Sequence, residues 1–411
     1  MSGPASLATL FRESLRLGAT TFWSGSGSAS LAAVRRRLAD RPGFAGPQEF
    51  EAGLGFLNVV PGGTPAQLCG YLGLKLRGLA GSVVAYLGYC LPGLVTMLAL
   101  GWGLMALADF LVPEQAMNTL QGGVAGLRAV VPAIFLLAGL TMSRRLKRPG
   151  LLLGLFLGAG VLFVIGLKPF SMLLGGAILG VLLLPDPEGL PSSSGSPGGE
   201  ASGTPGTLSG DPPAGAPYDW RLPAGLFLLY GLCAGGFFLV DATLGKLFLS
   251  IGKAEAYGFG GPGAFPILFA DAVNARHWLT APGFAAQAAL AQAVPGPALA
   301  VSALLGWNVG SLAGALTALA GVCVPSFFIL LAAAPAARAI GSCAWAGKAL
   351  SGFMAVLGGM VAGLGARLAM AVTWDAHHGI LAVAALALLA ARVHPALVAL
   401  LGAAAGALLG M

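Results

Sequence analysis

The stretch Gln292-Ala293-Val294-Pro295-Gly296-Pro297 has a counterpart in Asn58-Val59-Val60-Pro61-Gly62-Gly63, reached by subtracting a constant 234 from each number. The same shift lays Trp278 on Phe44 and Phe284 on Phe50. Downstream, a shift of 233 lays Gly306 on Gly73, Gly314 on Gly81, Cys323 on Cys90 and Pro325 on Pro92. Upstream, a shift of 237 brings Phe248 onto Phe11 and Phe259 onto Phe22. The chain therefore reads as two copies of one module. Each copy carries a helix-breaking Pro-Gly inside an apolar segment.

Composition sets the solvent. Of 411 residues, 57% are hydrophobic and 9% charged, whereas about a quarter of a soluble domain is charged. Such a chain cannot cover itself with polar surface, and its apolar runs exceed the roughly 20 residues that a bilayer core demands of a helix. The reading is an all-α, polytopic membrane protein of about 10 to 13 membrane segments. The net charge of +7 sits in short loops between spans and reflects orientation in the membrane rather than nucleic-acid binding. Cys69, Cys90, Cys233, Cys323 and Cys343 are scattered without CxxC spacing and read as small buried hydrophobes. The start, MSGPASLATLFRESLRLG, has charges where a cleavable signal would be apolar, so none is expected.

In chain order, residues 5–21 read as an amphipathic helix. A polar helix follows with Arg35, Arg36, Arg37 and Arg41, stopped by Pro42-Gly43. Pro47 opens another, with Glu49 and Glu51 in its first turn, where the helix dipole favours acids. The segment 53–75 is cut by Pro61-Gly62-Gly63-Thr64-Pro65, and each arm is too short to span, which predicts a re-entrant or broken helix. Spans are expected at 79–110, kinked at Pro92-Gly93, and at 118–142, 150–167 and 169–184. Residues 185–220 form a Pro/Gly/Ser tract with five acids and no base, a disordered linker. It separates a first repeat (1–184) from a second (221–411). The second opens with a span at 222–240, then has a break at Phe259-Gly260-Gly261-Pro262-Gly263, a broken segment at 285–308, and spans at 311–336, 346–372, 379–391 and 394–410.

Charge placement bears on topology. Arg35–Arg41, Lys75 with Arg77, and Arg144-Arg145-Lys147-Arg148 share the cytoplasmic side only if 53–75 enters and leaves on one face. The extra span at 222–240 then turns the second module over. Its equivalent of the arginine cluster has lost its charge: Asp271, Ala272, Val273 and Asn274 stand there, with only Arg276 nearby. Two inverted-topology repeats with broken helices at the midplane are the architecture of secondary transporters.

A Pro-Gly break inside the membrane frees backbone groups that lipid cannot satisfy, so it must be buried in protein or line a wet cavity. The half-helix that restarts after it points N–H donors and a positive dipole inward, toward an anion. Pro61 and Pro295 make the breaks, Gly62, Gly63, Thr64 and Gly296 supply close backbone approach, Thr64 adds a hydroxyl, and Asn58, Gln67 and Gln292 add neutral donors. The bland alternative is that Pro-Gly merely kinks packed helices.

Phe259-Gly260-Gly261-Pro262-Gly263, the Trp278-Leu279-Thr280 that follows, and Gln292-Ala293-Val294-Pro295-Gly296-Pro297 resemble the chromate ion transporter family. So do Phe11–Gly18 leading into Phe22, Arg35-Arg36, Glu49-Phe50, and Pro61-Gly62 followed by Gln67 and Tyr71-Leu72-Gly73. The resemblance covers roughly 8–140 and 245–370. It implies a two-module carrier that exports chromate and handles the similar sulfate ion, driven by the membrane potential or a proton gradient. Gly260, Gly261 and Gly263 join the substrate site on this ground. Trp23-Ser24-Gly25-Ser26 stands where the family has Gly-Gly-Pro, Gly63 where it has Pro, and Asn58 where it has Gln. These departures fall at the expected site and bear on which anion is carried. The implied partners are the oxyanion, the lipid bilayer, coupling protons and a second copy in a homodimer; no cofactor and no nucleic acid is expected.

Several ionisable residues have both a bland and a functional reading. Lys75 and Arg77 flank a span or draw an anion to the mouth. Arg35 and Arg36 are topogenic or face the pathway. Arg128 and Asp241, read as lying inside spans, are candidates by position. Glu255 and Asp271 are candidate proton-coupling carboxylates. His377-His378 sit in a short loop after Trp374-Asp375, with too few ligands nearby for a metal. The absence of HExxH, GxSxG and GxxxxGK[ST] argues against an enzyme or an ATPase. The rivals are a sulfate importer of the same fold, a membrane enzyme using Asp271 or His377, and an anion channel.

Overall fold

The computed structural model describes residues 5–20, 27–57, 65–109, 114–143, 149–185, 221–258, 261–293, 301–333 and 344–410. Among these, the regular structure is helical throughout. The first half contributes α1 (Leu7–Thr20), α2 (Gly27–Leu38), α3 (Pro47–Leu57), α4 (Pro65–Asp109), α5 (Glu114–Ser143), α6 (Pro149–Ile165) and α7 (Pro169–Leu183). The second contributes α8 (Arg221–Val240), α9 (Ala242–Tyr257), α10 (Ala264–Phe269), a π-helical turn (Ala270–Ala275), α11 (Ala281–Ala293), α12 (Ser302–Ala333), α13 (Ala344–Met370), α14 (Ala376–Ala390) and α15 (Pro395–Leu409). Beyond residue 185, the expected linker lies outside the described residues.

Helix α1 shows why its sequence folds as it does. Leu10, Glu13, Ser14, Leu17 and Gly18 are all buried, the i, i+3, i+4, i+7 stripe of a one-faced helix. That stripe packs on α4, where Gly18 meets the Tyr89 carbonyl so closely that no Cβ fits. Its counterpart α9 buries Phe248, Ile251, Gly252, Ala254 and Glu255 and packs on α12 in the same way.

Helices α4 and α12 are each a hairpin of two arms rather than one rod. Arg77 (φ −140°, ψ 22°) and Gly78 (φ 62°, ψ −152°) reverse α4. Gly310 (φ −154°, ψ 33°) and Ser311 (φ 51°, ψ −139°) reverse α12. The two reversals fall 233 positions apart, the shift read from the sequence. After each turn the arms meet backbone to backbone, Gly73 against the Gly81 carbonyl and Gly306 against Gly314. Any side chain there would push the arms apart. Pro92 lies inside the second arm of α4, where the backbone stays helical, and the reversal of the chain is at Arg77-Gly78.

The halves share one core. Helix α13 packs against α5, α6 and α7 of the first half, and α15 packs against α5. Small residues make these approaches possible, as in membrane bundles generally: Gly126 lies on Gly402, and Gly352 on Gly176 and Gly180. Aromatic contacts continue the seam, with Phe135 of α5 edge-on to Phe265 of α10 at 5.2 Å.

Five stretches are long and apolar enough to cross a membrane: Pro65–Ala99, Gln121–Ser143, Pro223–Val240, Ser302–Ala332 and Trp345–Met370. Shorter apolar helices pack on two of these, α6 and α7 on α13, and α14 and α15 on α5. Outward-facing side chains are themselves apolar, with Phe227 80% and Leu239 90% exposed. Water would not tolerate that belt; hydrocarbon does. This is an integral, multi-pass membrane protein. The 15 residues of α14 and of α15 reach about 22 Å, short of the roughly 30 Å hydrocarbon core.

Candidate functional site

The breaks expected to hold substrate are described through their flanks. Asn58, Pro61, Gly62, Gly63, Thr64, Gly260, Pro295 and Gly296 lie outside the described residues, as does the side chain of Gln292 in the last turn of α11. Gln67 stands in the first turn after the first break and is fully buried. Its Nε2 donates to the Ser326 carbonyl and to Ser326 Oγ, both at 3.2 Å. Ser326 Oγ in turn donates to Glu255 Oε1 at 3.1 Å. Glu255 sits at the end of α9, just before the second module's Gly-Gly-Pro turn, and is 3% exposed.

A continuous buried polar chain therefore joins the first module's post-break turn to the second module's pre-break helix. Two residues singled out in the sequence, Gln67 and Glu255, are brought together. Ser326, one residue past Pro325, was missed because nothing local marks it. Tyr86 closes one side, with its ring 5.6 Å from that of Phe327. The arrangement is one-sided: by the sequence shifts, Gly18 and Gly93 occupy the positions of Glu255 and Ser326 in the first module.

On the other break, Gly263 is the N-cap residue of α10 and packs too closely on the Gly258 carbonyl and Leu357 for any Cβ. Gly261 lies in the turn before it. Ser302 opens the arm that follows the Pro-Gly-Pro, and it too was missed. It is fully buried, and its Oγ has no hydrogen-bond partner. With Gln287, Phe284 and Leu305 it lines a narrow pocket that admits little more than a water molecule. Each post-break arm thus begins with a buried polar side chain, Gln67 in one and Ser302 in the other.

The basic cluster of the first module is largely internally compensated. Glu13, 5% exposed, receives Arg37 at 2.9 Å, Arg16 at 3.2 Å and Arg41 at 3.3 Å. Burial alone would raise its pKa, but the Arg37 hydrogen bond and the charges of Arg41, Arg37 and Arg16 outweigh it and hold the carboxyl below its ordinary value. Arg35 reaches Asp40 and Glu51 and lies over Phe50. Arg36 is exposed. Arg77 Nε donates to the Ala5 carbonyl at 2.9 Å, and Lys75 lies over Tyr71. In this conformation, contacts within their own module engage Arg35, Lys75 and Arg77.

At the equivalent place in the second module the polarity is exchanged. Lys253, matching Arg16, pairs with Asp271, matching Arg37, at 2.6 Å. Asp271 lies in the π-helical turn rather than in regular α-helix. Asp241 is corrected: it is exposed, lies between α8 and α9, and caps α9 by accepting from the Thr243 and Leu244 amides. Those amide bonds hold its pKa below the ordinary value. Arg128 is half-buried in α5, with its Nε buried and without a hydrogen-bond partner. His378 is bonded to Asp375 at 2.9 Å and His377 is exposed.

A sequence model of the family described as Chromate transporter matches residues 8–181 and again 245–407. The chain belongs to the chromate transporter family. The double match covers both modules. A chromate transport protein of Pseudomonas aeruginosa is 28% identical over 327 residues, covering 79% of this chain and 72% of the relative. One from Cupriavidus metallidurans is 25% identical over 342 residues, covering 78% and 72%. An uncharacterized transporter of Methanocaldococcus jannaschii is 24% identical over 337 residues, covering 81% and 77%. No solved structure matches. Chromate transporters are transport proteins, not enzymes, which removes the membrane-enzyme rival.

Proposed function

We propose that this chromate transporter family member is a secondary transporter that moves a tetrahedral oxyanion, chromate and by similarity of shape and charge sulfate, out across the membrane. Two inverted repeats hold the anion between their Pro-Gly breaks, and alternating access comes from one repeat bundle moving against the other. Backbone amides of both breaks would supply most of the donors, joined by Gln67, Ser302 and the polar residues of the breaks. The observation that supports this reading is the buried Gln67–Ser326–Glu255 chain, which ties the turn after the first module's break to the helix before the Gly-Gly-Pro of the second. Glu255 is the proposed proton-coupling group. No cation pairs with it among the described residues, and the cost of ionising it depends on whether water reaches it. Its proton occupancy would therefore follow the conformation.

The test is flux in proteoliposomes. Purified protein is loaded with chromate, sulfate, phosphate or nitrate at two pH values, with a proton gradient of either sign. Saturable movement of chromate, competed by sulfate but not by planar nitrate, supports the reading. Unsaturable flux indicates a channel. Inward accumulation of sulfate that chromate does not compete for indicates a sulfate importer.

A further inference from the structure

We propose a second oxyanion site, apart from the Pro-Gly breaks, at the π-helical turn of the second module, built on Arg367 and Arg276. Arg367 projects from α13 into a slot between two rings, its guanidinium 5.2 Å from the Phe269 centroid and 5.9 Å from that of Phe163. Those rings, from α10 and α6, hold the guanidinium. Of its five N–H donors, Nη2 donates to Asn274 Oδ1 at 3.3 Å, while Nη1 is buried and has no hydrogen-bond partner. A buried guanidinium N–H without an acceptor is costly, and a planar fork is the side chain best shaped to grip two oxygens of one anion.

Charge points to the ligand. Arg276 lies two residues beyond Asn274 on the same turn; its Nε donates to Ser250 at 3.1 Å and its guanidinium lies over Trp278 at 5.1 Å. Lys253 is already neutralised by Asp271. Among the described residues no carboxylate lies within 4.0 Å of Arg276 or Arg367, which leaves two uncompensated cations tied to one turn, Arg276 by its place at the end of it and Arg367 by its bond to Asn274. Two positive charges match a doubly charged tetrahedral oxyanion. Asn274 joins them: it accepts from Arg367 and shares its turn with Arg276. A π-helical turn at this place fits a functional role, since such turns concentrate at sites. The site deepens the proposed function, on which it rests for the class of anion; it would take or release the ion on its way to or from the breaks.

The experiment uses the full-length protein in lipid nanodiscs, radiolabelled sulfate as a redox-inert probe, and chromate flux in proteoliposomes. R367Q and R276Q are compared with wild type and with R392Q, a change at the exposed turn between α14 and α15. Expected for R367Q and R276Q is a roughly tenfold weaker sulfate affinity or higher KM for flux, with Vmax within about twofold and an unchanged melting temperature; R392Q behaves as wild type. R367K, which keeps the charge but loses the fork, falls between them. Wild-type affinity and KM in R367Q overturn the site, as does a loss explained by a lowered melting temperature that R367K fully restores. If wild-type protein moves no tetrahedral anion at all, the proposed function fails first. If it does and R367Q is silent, only the second site falls.

Discussion

Glu255 and Glu13 are both buried carboxylates, and their surroundings differ in charge. Glu13 is held by three arginines, so it stays ionised and pins α1 to α2. Its folded-state pKa lies below its unfolded value. The stability it contributes is therefore present above the ordinary glutamate range and is lost as pH falls through the lowered folded value. E13Q should cost about 1 kcal/mol at neutral pH, since Arg16, Arg37 and Arg41 lose their shared carboxylate but stay partly exposed to solvent. A melting series should show that gap between wild type and E13Q closing as the solution is acidified; a gap constant with pH would remove the ion pairs from the account. Glu255 receives only a hydroxyl. E255Q keeps a hydrogen-bonding group of the same shape but cannot exchange a proton. It should bind anion normally and transport it at a rate flat over about pH 5.5–8.5, where wild type varies. A retained pH dependence in E255Q would place coupling elsewhere.

The hairpin reversals are the elements on which the packing of each module turns. Both need a residue at positive φ, Gly78 in one and Ser311 in the other, and a left-handed conformation costs a side-chain-bearing residue about 1–2 kcal/mol. G78A should thus lower stability by about 1 kcal/mol and S311G should raise it by a smaller amount. Thermal unfolding monitored by fluorescence in detergent reads both; equal and unchanged melting temperatures would mean the reversals are not strained as described. The places of both turns were legible, between the segments ending at 75 and 308 and the spans starting at 79 and 311, with Gly78 and Gly310 as local signals, but the folding back of the arms was not, because hydropathy runs on through them. What was legible is instructive by contrast. The expected span 222–240 is observed as Arg221–Val240, and 169–184 as Pro169–Leu183, because apolar length and flanking Pro fix such helices locally. Asp241 was misplaced by a hydropathy window that does not distinguish a span's end from a cap, although Asp followed by Ala-Thr is a capping signal. Ser326, Glu13 and Arg367 matter through partners far away in sequence, 71 residues in the bond from Ser326 to Glu255, and periodicity is blind to those.

Across the whole molecule, the same shifts that align the sequence also align the reversals and the tight glycine pairs. Inversion of one module against the other is the remaining step to alternating access, and it is testable without transport. Asp40 and Asn274 are equivalent at the 234 shift and both exposed. D40C and N274C, each alone in a cysteine-free background, should label from opposite sides of the membrane with an impermeant maleimide; labelling from the same side would refute inversion. The central claim, that the paired Pro-Gly breaks grip the anion, meets its most direct test in G62V and G296V. Each adds bulk where backbone must approach the ion. Both variants should insert and melt like wild type while chromate flux in proteoliposomes falls at least about a hundredfold. Wild-type flux in both would contradict the account.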